Sequence, residues 1–360
     1  MNIINDRKFL YRKKKIGKNC PTYFIADIAA NHDGNLDKAI ELINKAALAG
    51  ADAAKFQHFS AETIVSDYGF KSLGGQLSHQ AKWKKSVFEV YKDASIPLEW
   101  TSKLKKECQK NNIEFLTSPY SIKLVDFVNP YLEAFKIGSG DITWHEIIEH
   151  IASKGKPYII ATGASKENEV NEIINLASKI NDKICIMQCN TNYTASDKNF
   201  RFINLNYLKY LKNKFPKLIL GLSDHTHGHS TVLGAITLGA KVIEKHFTLS
   251  NELDGPDHKF SMTPKTWKEM IDRSKELELS LGDGIKKIED NENETVVLQR
   301  RSIRVNKHLN KNHIIQREDL NVLRPCPENA IIPRDINKVI GKRINKKLIK
   351  DEILKWEDLE

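Results

Sequence analysis

Two histidines, His225 and His246, each close a short apolar run. Residues 218–222 lead into Ser223-Asp224-His225, and Val242-Ile243 lead into Glu244-Lys245-His246. Both runs read as buried strands, and residues 230–238 between them read as a helix. A strand–helix–strand unit puts both imidazoles side by side at one mouth of a parallel sheet. Two neutral imidazoles converging there suit one divalent metal ion. The plainer alternative is a pair of capped, hydrogen-bonded strand-end histidines. His227 and His229 read as solvated turn residues. His32 and His58 read as second-layer or substrate contacts at the same mouth.

Lys55 and Lys136 are the other unusual pair. Each sits between apolar neighbours, in Ala54-Lys55-Phe56 and Phe135-Lys136-Ile137. A buried lysine needs a partner. The nearby hydroxyls of Ser118 and Ser139 and the glycines Gly138 and Gly140 point to a phosphate or carboxylate site. Ion pairs to Asp27 or Glu244 are the structural alternative, and a Schiff-base lysine is a third. Gln57 shares the face of Lys55 by the two-residue strand period. Asp141, Gln188, Asn190 and Tyr193 add polar groups after other runs. Leaving so many polar groups buried and unpaired would cost a few kcal/mol each, so a ligand or a network must satisfy them.

These residues need a frame that gathers them. Eight apolar runs recur, at 23–29, 53–59, 113–117, 134–137, 158–161, 184–188, 218–222 and 241–246. Segments with helical spacing lie between them, among them 36–49, 144–154, 167–179 and 230–238. Eight β/α repeats fit a (β/α)8 TIM barrel, whose chemistry sits at the C-terminal ends of the strands. An open doubly wound sheet is disfavoured, because no G-x-G-x-x-G follows the first run. Residues 60–112 form a long excursion with a polar, Gly-rich part at 69–78 and helical stretches at 83–90 and 97–110. Such an excursion reads as a substrate-covering loop. Residues 264–281 read as the closing helix.

A catalytic barrel is thus expected over 1–284 and a charged linker over 285–299. A small β-rich module of short strands and turns follows over 300–360, including Val339-Ile340-Gly341. That module is near the lower limit for an autonomous fold.

Composition narrows the class. The 360 residues are 40% hydrophobic and 28% charged, with net charge +10. Lysines are dispersed over helix surfaces, so an anionic small substrate is favoured over nucleic acid. No apolar run reaches the ~20 residues of a membrane span, and the basic stretch 1–18 lacks the apolar core of a secretory signal. Five scattered cysteines without C-x-x-C spacing fit a reducing cytoplasm.

Several motifs, in order, resemble the sialic acid (nonulosonic acid) synthase family. They are Phe24-Ile25-Ala26-Asp27-Ile28-Ala29-Ala30-Asn31-His32-Asp33-Gly34, Gly50-Ala51-Asp52-Ala53-Ala54-Lys55-Phe56-Gln57, Phe135-Lys136-Ile137-Gly138-Ser139-Gly140-Asp141, Gly221-Leu222-Ser223-Asp224-His225, Glu244-Lys245-His246-Phe247 and Gly255-Pro256-Asp257-His258. Arg301-Ser302-Ile303, Leu323-Arg324-Pro325 and Val339-Ile340-Gly341-Lys342 resemble the family's C-terminal antifreeze-like SAF domain.

The resemblance implies a condensation of phosphoenolpyruvate with an N-acetylhexosamine such as N-acetylmannosamine, giving a nine-carbon 2-keto acid and phosphate. It implies a divalent ion on His225 and His246, Mn2+ first and Mg2+ or Co2+ as alternatives. Phosphoenolpyruvate would be held by Lys55, Lys136, Ser118, Ser139 and Ser223, with Gln57 and Asn190 nearby. Asp27, Asp141, Glu244, Asp257, Tyr193 and Arg324 would face the sugar or assist proton transfer. A domain-swapped homodimer would bring Arg324 to the partner's site.

The sequence departs from the family at Asp27, where many members carry Glu, at Ala161-Thr162-Gly163 and at 190–194. These departures bear on the sugar, leaving N-acetylmannosamine or a 6-deoxy-diacetamido hexose leading to legionaminic or pseudaminic acid. A different metal-dependent barrel aldolase or hydrolase, and a polysaccharide-binding protein on a vestigial barrel, are the competing classes.

Overall fold

The computed structural model describes residues 9–11, 14–17, 19–76, 80–81 and 83–360. The basic stretch 1–18 therefore falls mostly outside the described residues, as do residues 77 and 78 of the Gly-rich stretch. The chain divides into two compact units, Met1–Gly282 and Asp283–Glu360.

The first unit carries eight parallel strands: β1 Tyr23–Asp27, β2 Ala53–His58, β3 Glu114–Pro119, β4 Phe135–Ile137, β5 Tyr158–Ala161, β6 Ile184–Cys189, β7 Ile219–Asp224 and β8 Val242–His246. Their order is β3-β2-β1-β8-β7-β6-β5-β4. The two end strands β3 and β4 pack side by side, so the ring is a nearly closed (β/α)8 barrel. Every strand is buried on both faces, as expected where helices cover a parallel sheet.

Strand parity decides what each face does. Tyr23, Ile25, Ala53, Leu116, Ile159, Cys185, Met187, Ile219 and Val242 form the barrel interior, joined by Ile16 of the short strand Lys14–Ile16. Phe24, Ala26, Ala54, Phe56, Phe115, Ile160, Ile186, Leu220, Leu222 and Ile243 face the helices and build the larger cluster. Full burial of each large apolar side chain stabilises by about 1.5–3 kcal/mol. Interior room is tight at Gly221, where a Cβ would lie 2.7 Å from the Val242 carbonyl oxygen.

One charged pair lies on the outward face. Lys245 and Asp224 are within 1% of complete side-chain burial and form a salt bridge between β7 and β8. The Lys245 Nζ also donates to the Thr226 carbonyl at 2.6 Å, and Thr231 Oγ1 donates to Asp224 at 2.7 Å. Burial pushes the Asp224 carboxyl up, but Lys245 and the hydroxyls outweigh it and hold it below its usual range. Lys245→Met strands that carboxylate. It is expected to lower the unfolding free energy by about 3–5 kcal/mol in urea titrations. A loss below about 1 kcal/mol, the size of an exposed pair, would contradict this.

Local capping explains where helices differ from expectation. The helix expected over 83–90 is Val87–Ala94, because Ser86 accepts from Glu89 N and Glu89 accepts from Ser86 N, a reciprocal cap. Within the stretch expected to be an irregular loop, Ser66 caps a helix over Asp67–Ser72. The last helix of this unit, Pro264–Ser280, starts on Thr263 with Pro264 at its first position.

The second unit is organised around Ile303, Val305, Leu309, Ile315, Leu320, Val339, Ile344 and Leu354. Its one two-stranded ladder among the described residues is antiparallel, Ser302–Val305 with Leu320–Leu323. Two expectations change here. The latter part of the expected linker is a helix, Asn293–Gln299, whose Val297 carbonyl accepts from Cys326 N at 2.8 Å. Val339 ends a short helix, Ile336–Val339, rather than lying in a strand. No helix among the described residues is long and apolar enough to cross a membrane.

Candidate active site

The inward parity that fills the barrel floor with apolar groups brings polar ones to its C-terminal mouth. Asp27, Lys55, Gln57, Ser118, Lys136, Ser223, Glu244 and His246 continue the inward rows, and all line a cavity of about 430 Å³. Ser139, Asp141, Tyr193, His225 and Asp257 enter from the loops beyond the strands.

The lysines are paired in the ligand-free site. Lys55 Nζ lies 2.6 Å from Asp27 Oδ2 and 4.0 Å from Glu244 Oε1. Lys136 Nζ lies 3.4 Å from the same Glu244 oxygen and donates to the Ile137 carbonyl at 3.1 Å. The ion-pair alternative therefore describes their resting partners. Burial opposes the Lys55 charge, but Asp27 and Glu244 outweigh it and hold the ammonium above its usual value.

Groups able to take a further partner surround them. Ser118 Oγ and Glu244 Oε2 are buried without a hydrogen bond. Ser223 Oγ donates to Glu244 Oε1 at 3.2 Å, and Ser139 Oγ accepts from Gly163 N at 3.0 Å. Gly163 must be glycine for this approach, since a Cβ would meet Ser139 Oγ at 2.8 Å and Thr191 Oγ1 at 2.1 Å.

The histidines stand ring to ring, 5.3 Å between centroids. His225 Nδ1–H donates to the Asn190 carbonyl at 3.0 Å; burial lowers the ring's pKa, but its hydrogen bond with Cys189 outweighs that and holds it above the usual value. His246 Nε2 is 3.5 Å from Asp27, and its buried Nδ1 has no hydrogen bond, with Asp257 Oδ2 at 3.8 Å. Burial, with the charges of His225 and Lys55, keeps His246 neutral well below its usual pKa. Burial raises Asp141 and Asp257 to about 6 each.

Two ammoniums thus share the cavity with four carboxyls, an imbalance that a divalent cation offsets. Two converging imidazoles beside a carboxylate, His246 held neutral with its Nδ1 unbonded and His225 once it has lost its proton, would fit such an ion. Among the described residues no cluster of three or more His, Cys, Asp or Glu is arranged to hold one. A divalent ion there would take two imidazoles from the chain and its further ligands from substrate or water.

Other expected residues lie elsewhere. His58 follows the outward parity, bonded to Thr117 and Thr101 hydroxyls at 2.8 Å each, and burial lowers it to about 4. His32 is fully buried behind the mouth, its Nδ1 accepting from Gly34 N at 3.1 Å and its ring edge-on to Trp100. Asn190 turns its amide to the Phe202 carbonyl at 3.3 Å and offers the site its backbone oxygen. Gln188 faces outward and donates to the Ile203 carbonyl at 2.7 Å. Arg324 belongs to the second unit, exposed, with Nε donating to Gln299 O at 2.7 Å.

Sequence reasoning missed several cavity residues, Cys189, Tyr120 and Tyr91 among them. Cys189 continues the inward row of Cys185 and Met187 to the mouth, so parity carried the signal. Burial raises its thiol, but His225 and Ser139 outweigh that and hold it below its usual value. Tyr120 and Tyr91 line the same wall, and burial raises both phenols. The two-residue period of Leu116 and Ser118 reaches Tyr120, whereas no periodic signal pointed to Tyr91.

Comparison with known proteins agrees with this geometry. A family model described as the NeuB family matches residues 42–286, and an SAF domain model matches 300–360. The N,N'-diacetyllegionaminic acid synthase of Campylobacter jejuni is 35% identical over 338 residues, covering 93% of this chain and 99% of that protein. The pseudaminic acid synthase of the same species is 30% identical over 343 residues, with 94% and 96% covered. A solved structure of N-acetylneuraminic acid (sialic acid) synthetase from Leptospira borgpetersenii aligns with TM-score 0.70 at 27% identity, over 81% of this chain and 95% of that one.

Proposed function

The chain belongs to the NeuB family, and on that premise we propose that it condenses phosphoenolpyruvate with a 2-acetamido hexose, releasing phosphate by C–O cleavage. The coarser statement, an enzyme of the sialic acid synthase kind, follows from the family itself. The observation that carries the finer one is the grouping of Lys55, Lys136 and the unbonded Ser118 hydroxyl beside His225 and His246 in one cavity.

The residues have distinct tasks. Lys55 and Lys136, with Ser118, Ser139, Ser223 and Gln57, hold the phosphate and carboxylate of phosphoenolpyruvate. Both lysines can share charge between a resident carboxylate and an arriving anion. A divalent ion on His225 and His246 would polarise the aldehyde oxygen of the open-chain sugar. Asp257, Tyr193 and Asp141 face the acceptor.

The bonds balance as follows. C3 of phosphoenolpyruvate forms the new C–C bond to the aldehyde carbon, and its oxygen takes a proton. Water adds at C2 and gives a proton to a nearby carboxylate. The bond from C2 to the bridging oxygen then breaks as the new C2 hydroxyl becomes the keto oxygen and passes its proton to the departing phosphate, leaving the 2-keto acid and inorganic phosphate. Glu244, with Oε1 engaged by Lys136 and Ser223 and Oε2 unbonded, is placed to orient that water.

A 6-deoxy-diacetamido hexose is the second acceptor reading, favoured by 35% and 30% identity to the legionaminic and pseudaminic acid synthases against 28% to the human N-acetylneuraminate-9-phosphate synthase. The test is phosphate release with phosphoenolpyruvate and a panel of 2-acetamido hexoses, with and without EDTA. Release is expected only when sugar, phosphoenolpyruvate and a divalent ion are all present. Inactivity with every 2-acetamido hexose, in an enzyme shown to be folded and metal-loaded, would refute the condensation.

A further inference from the structure

We infer that Asp33 and His258 are positioning residues for the acceptor half of the site: their hydrogen-bonded pair ties the loop after β8 to the loop after β1, and so sets Asp257 and Phe260 against His246. The kinetic part of this inference rests on the proposed condensation. Its structural part does not.

His258 is fully buried. Its Nε2–H points at both oxygens of the Asp33 carboxylate, at 3.1 and 3.2 Å, and its Nδ1 lies 2.6 Å from Thr248 Oγ1. Burial raises the Asp33 carboxyl, but His258 and Lys38 outweigh it and hold it below its usual range. Asp33 adopts a left-handed φ of +49°, which a residue with a side chain keeps only when its surroundings hold it there. Gly255 passes so close to the pair that a Cβ would lie 2.6 Å from His258 Cδ2 and 3.1 Å from Asp33 Oδ1. The chain thus gives up a side chain at 255 and relaxed backbone at 33 to make one contact between two loops.

That contact acts beside two others between the same loops, Ala30 N to Asp257 and Asn31 Nδ2 to Ser261 Oγ at 2.9 Å, and is the one nearest the turn. His258–Phe260 is a single 3-10 turn. Asp257, immediately before it, accepts from Ala30 N at 3.3 Å and stands 3.8 Å from the unbonded His246 Nδ1. Phe260, at its end, packs 4.9 Å from the His246 ring and 5.3 Å from Tyr193. A shift of the turn moves both. Asp33, Gly255 and Pro256 also line a second cavity of about 800 Å³, which shares Pro256 and Tyr193 with the first. Lys55 and Lys136 lie in the first cavity and not in this one, which Lys84, Lys85 and Lys259 line instead, so the anchor stands on the side away from the phosphoenolpyruvate groups.

Asp33→Ala removes the acceptor of the Nε2–H. Asp33→Asn retains an oxygen for it. Lys38→Met breaks the Lys38–Asp33 salt bridge while leaving His258 its partner. Asp33→Ala is expected to raise KM for the acceptor sugar about tenfold or more, the usual effect of removing a group that orients a site residue, with KM for phosphoenolpyruvate within about twofold. Asp33→Asn should restore most of the loss, and Lys38→Met should show none.

Hydrogen exchange on the full chain, without substrates, reads the anchor directly. Residues 249–261 should lose protection in Asp33→Ala and keep it in Asp33→Asn, whatever reaction the site performs. Unchanged protection of 249–261 in Asp33→Ala would overturn the inference. So would equal losses for both substrates, or an Asp33→Asn defect as large as that of alanine.

Discussion

Lys136→Met lowers kcat/KM for phosphoenolpyruvate by about a hundred- to a thousandfold, the range seen when one donor to a charged reacting group is removed, and leaves the barrel folded. The side chain is fully inside the cavity wall, and methionine matches its length and apolar stem. Glu244 keeps other partners after the change, because Ser223 donates to it at 3.2 Å and Lys55 lies 4.0 Å away. Stability is therefore expected to change little. Steady-state kinetics with varied phosphoenolpyruvate, beside urea unfolding, separates the two roles. Lost stability with unchanged phosphoenolpyruvate kinetics would mean that Lys136 serves only its ion pair.

His246→Ala abolishes metal-dependent turnover and weakens Mn2+ binding at least about a hundredfold, as loss of a primary ligand should exceed the 10–100-fold cost of losing a supporting group. His225→Ala does the same. Both rings lie above the apolar floor of the barrel, so folding survives. Calorimetric Mn2+ titration of the free protein measures binding without reference to the reaction. A His246→Ala variant that keeps a near-native rate in metal-free buffer would contradict the assignment.

The barrel was legible because its strands are buried on both faces and separated by amphipathic helices of ordinary length. Parity assigned Lys55 with Gln57 to one face, and both line the cavity; the same rule accounts for Glu244 beside His246. The same rule, extended one residue further, places His58 outward with Phe56 and Cys189 inward with Met187. Parity fails beyond the strand ends, where loop geometry sets side-chain direction. Asn190 and Asn31 illustrate this: each follows a strand, and each bonds a neighbouring loop. Capping by Ser86 and Ser66 moved or created helices that apolar spacing did not specify. The ion pairs of Lys55 with Asp27 and of Lys136 with Glu244 join residues from different strands, so the sequence offered them only as the alternative to an anion site.

The central claim is that phosphate leaves by C–O cleavage after carbon–carbon bond formation with a sugar. Phosphoenolpyruvate labelled with 18O at its bridging oxygen tests it most directly. The account predicts that every released phosphate carries the label, in amount equal to the 2-keto acid formed, and that none is released without the sugar and a divalent ion. Label retained in the organic product, or phosphate formed without the sugar, would contradict it.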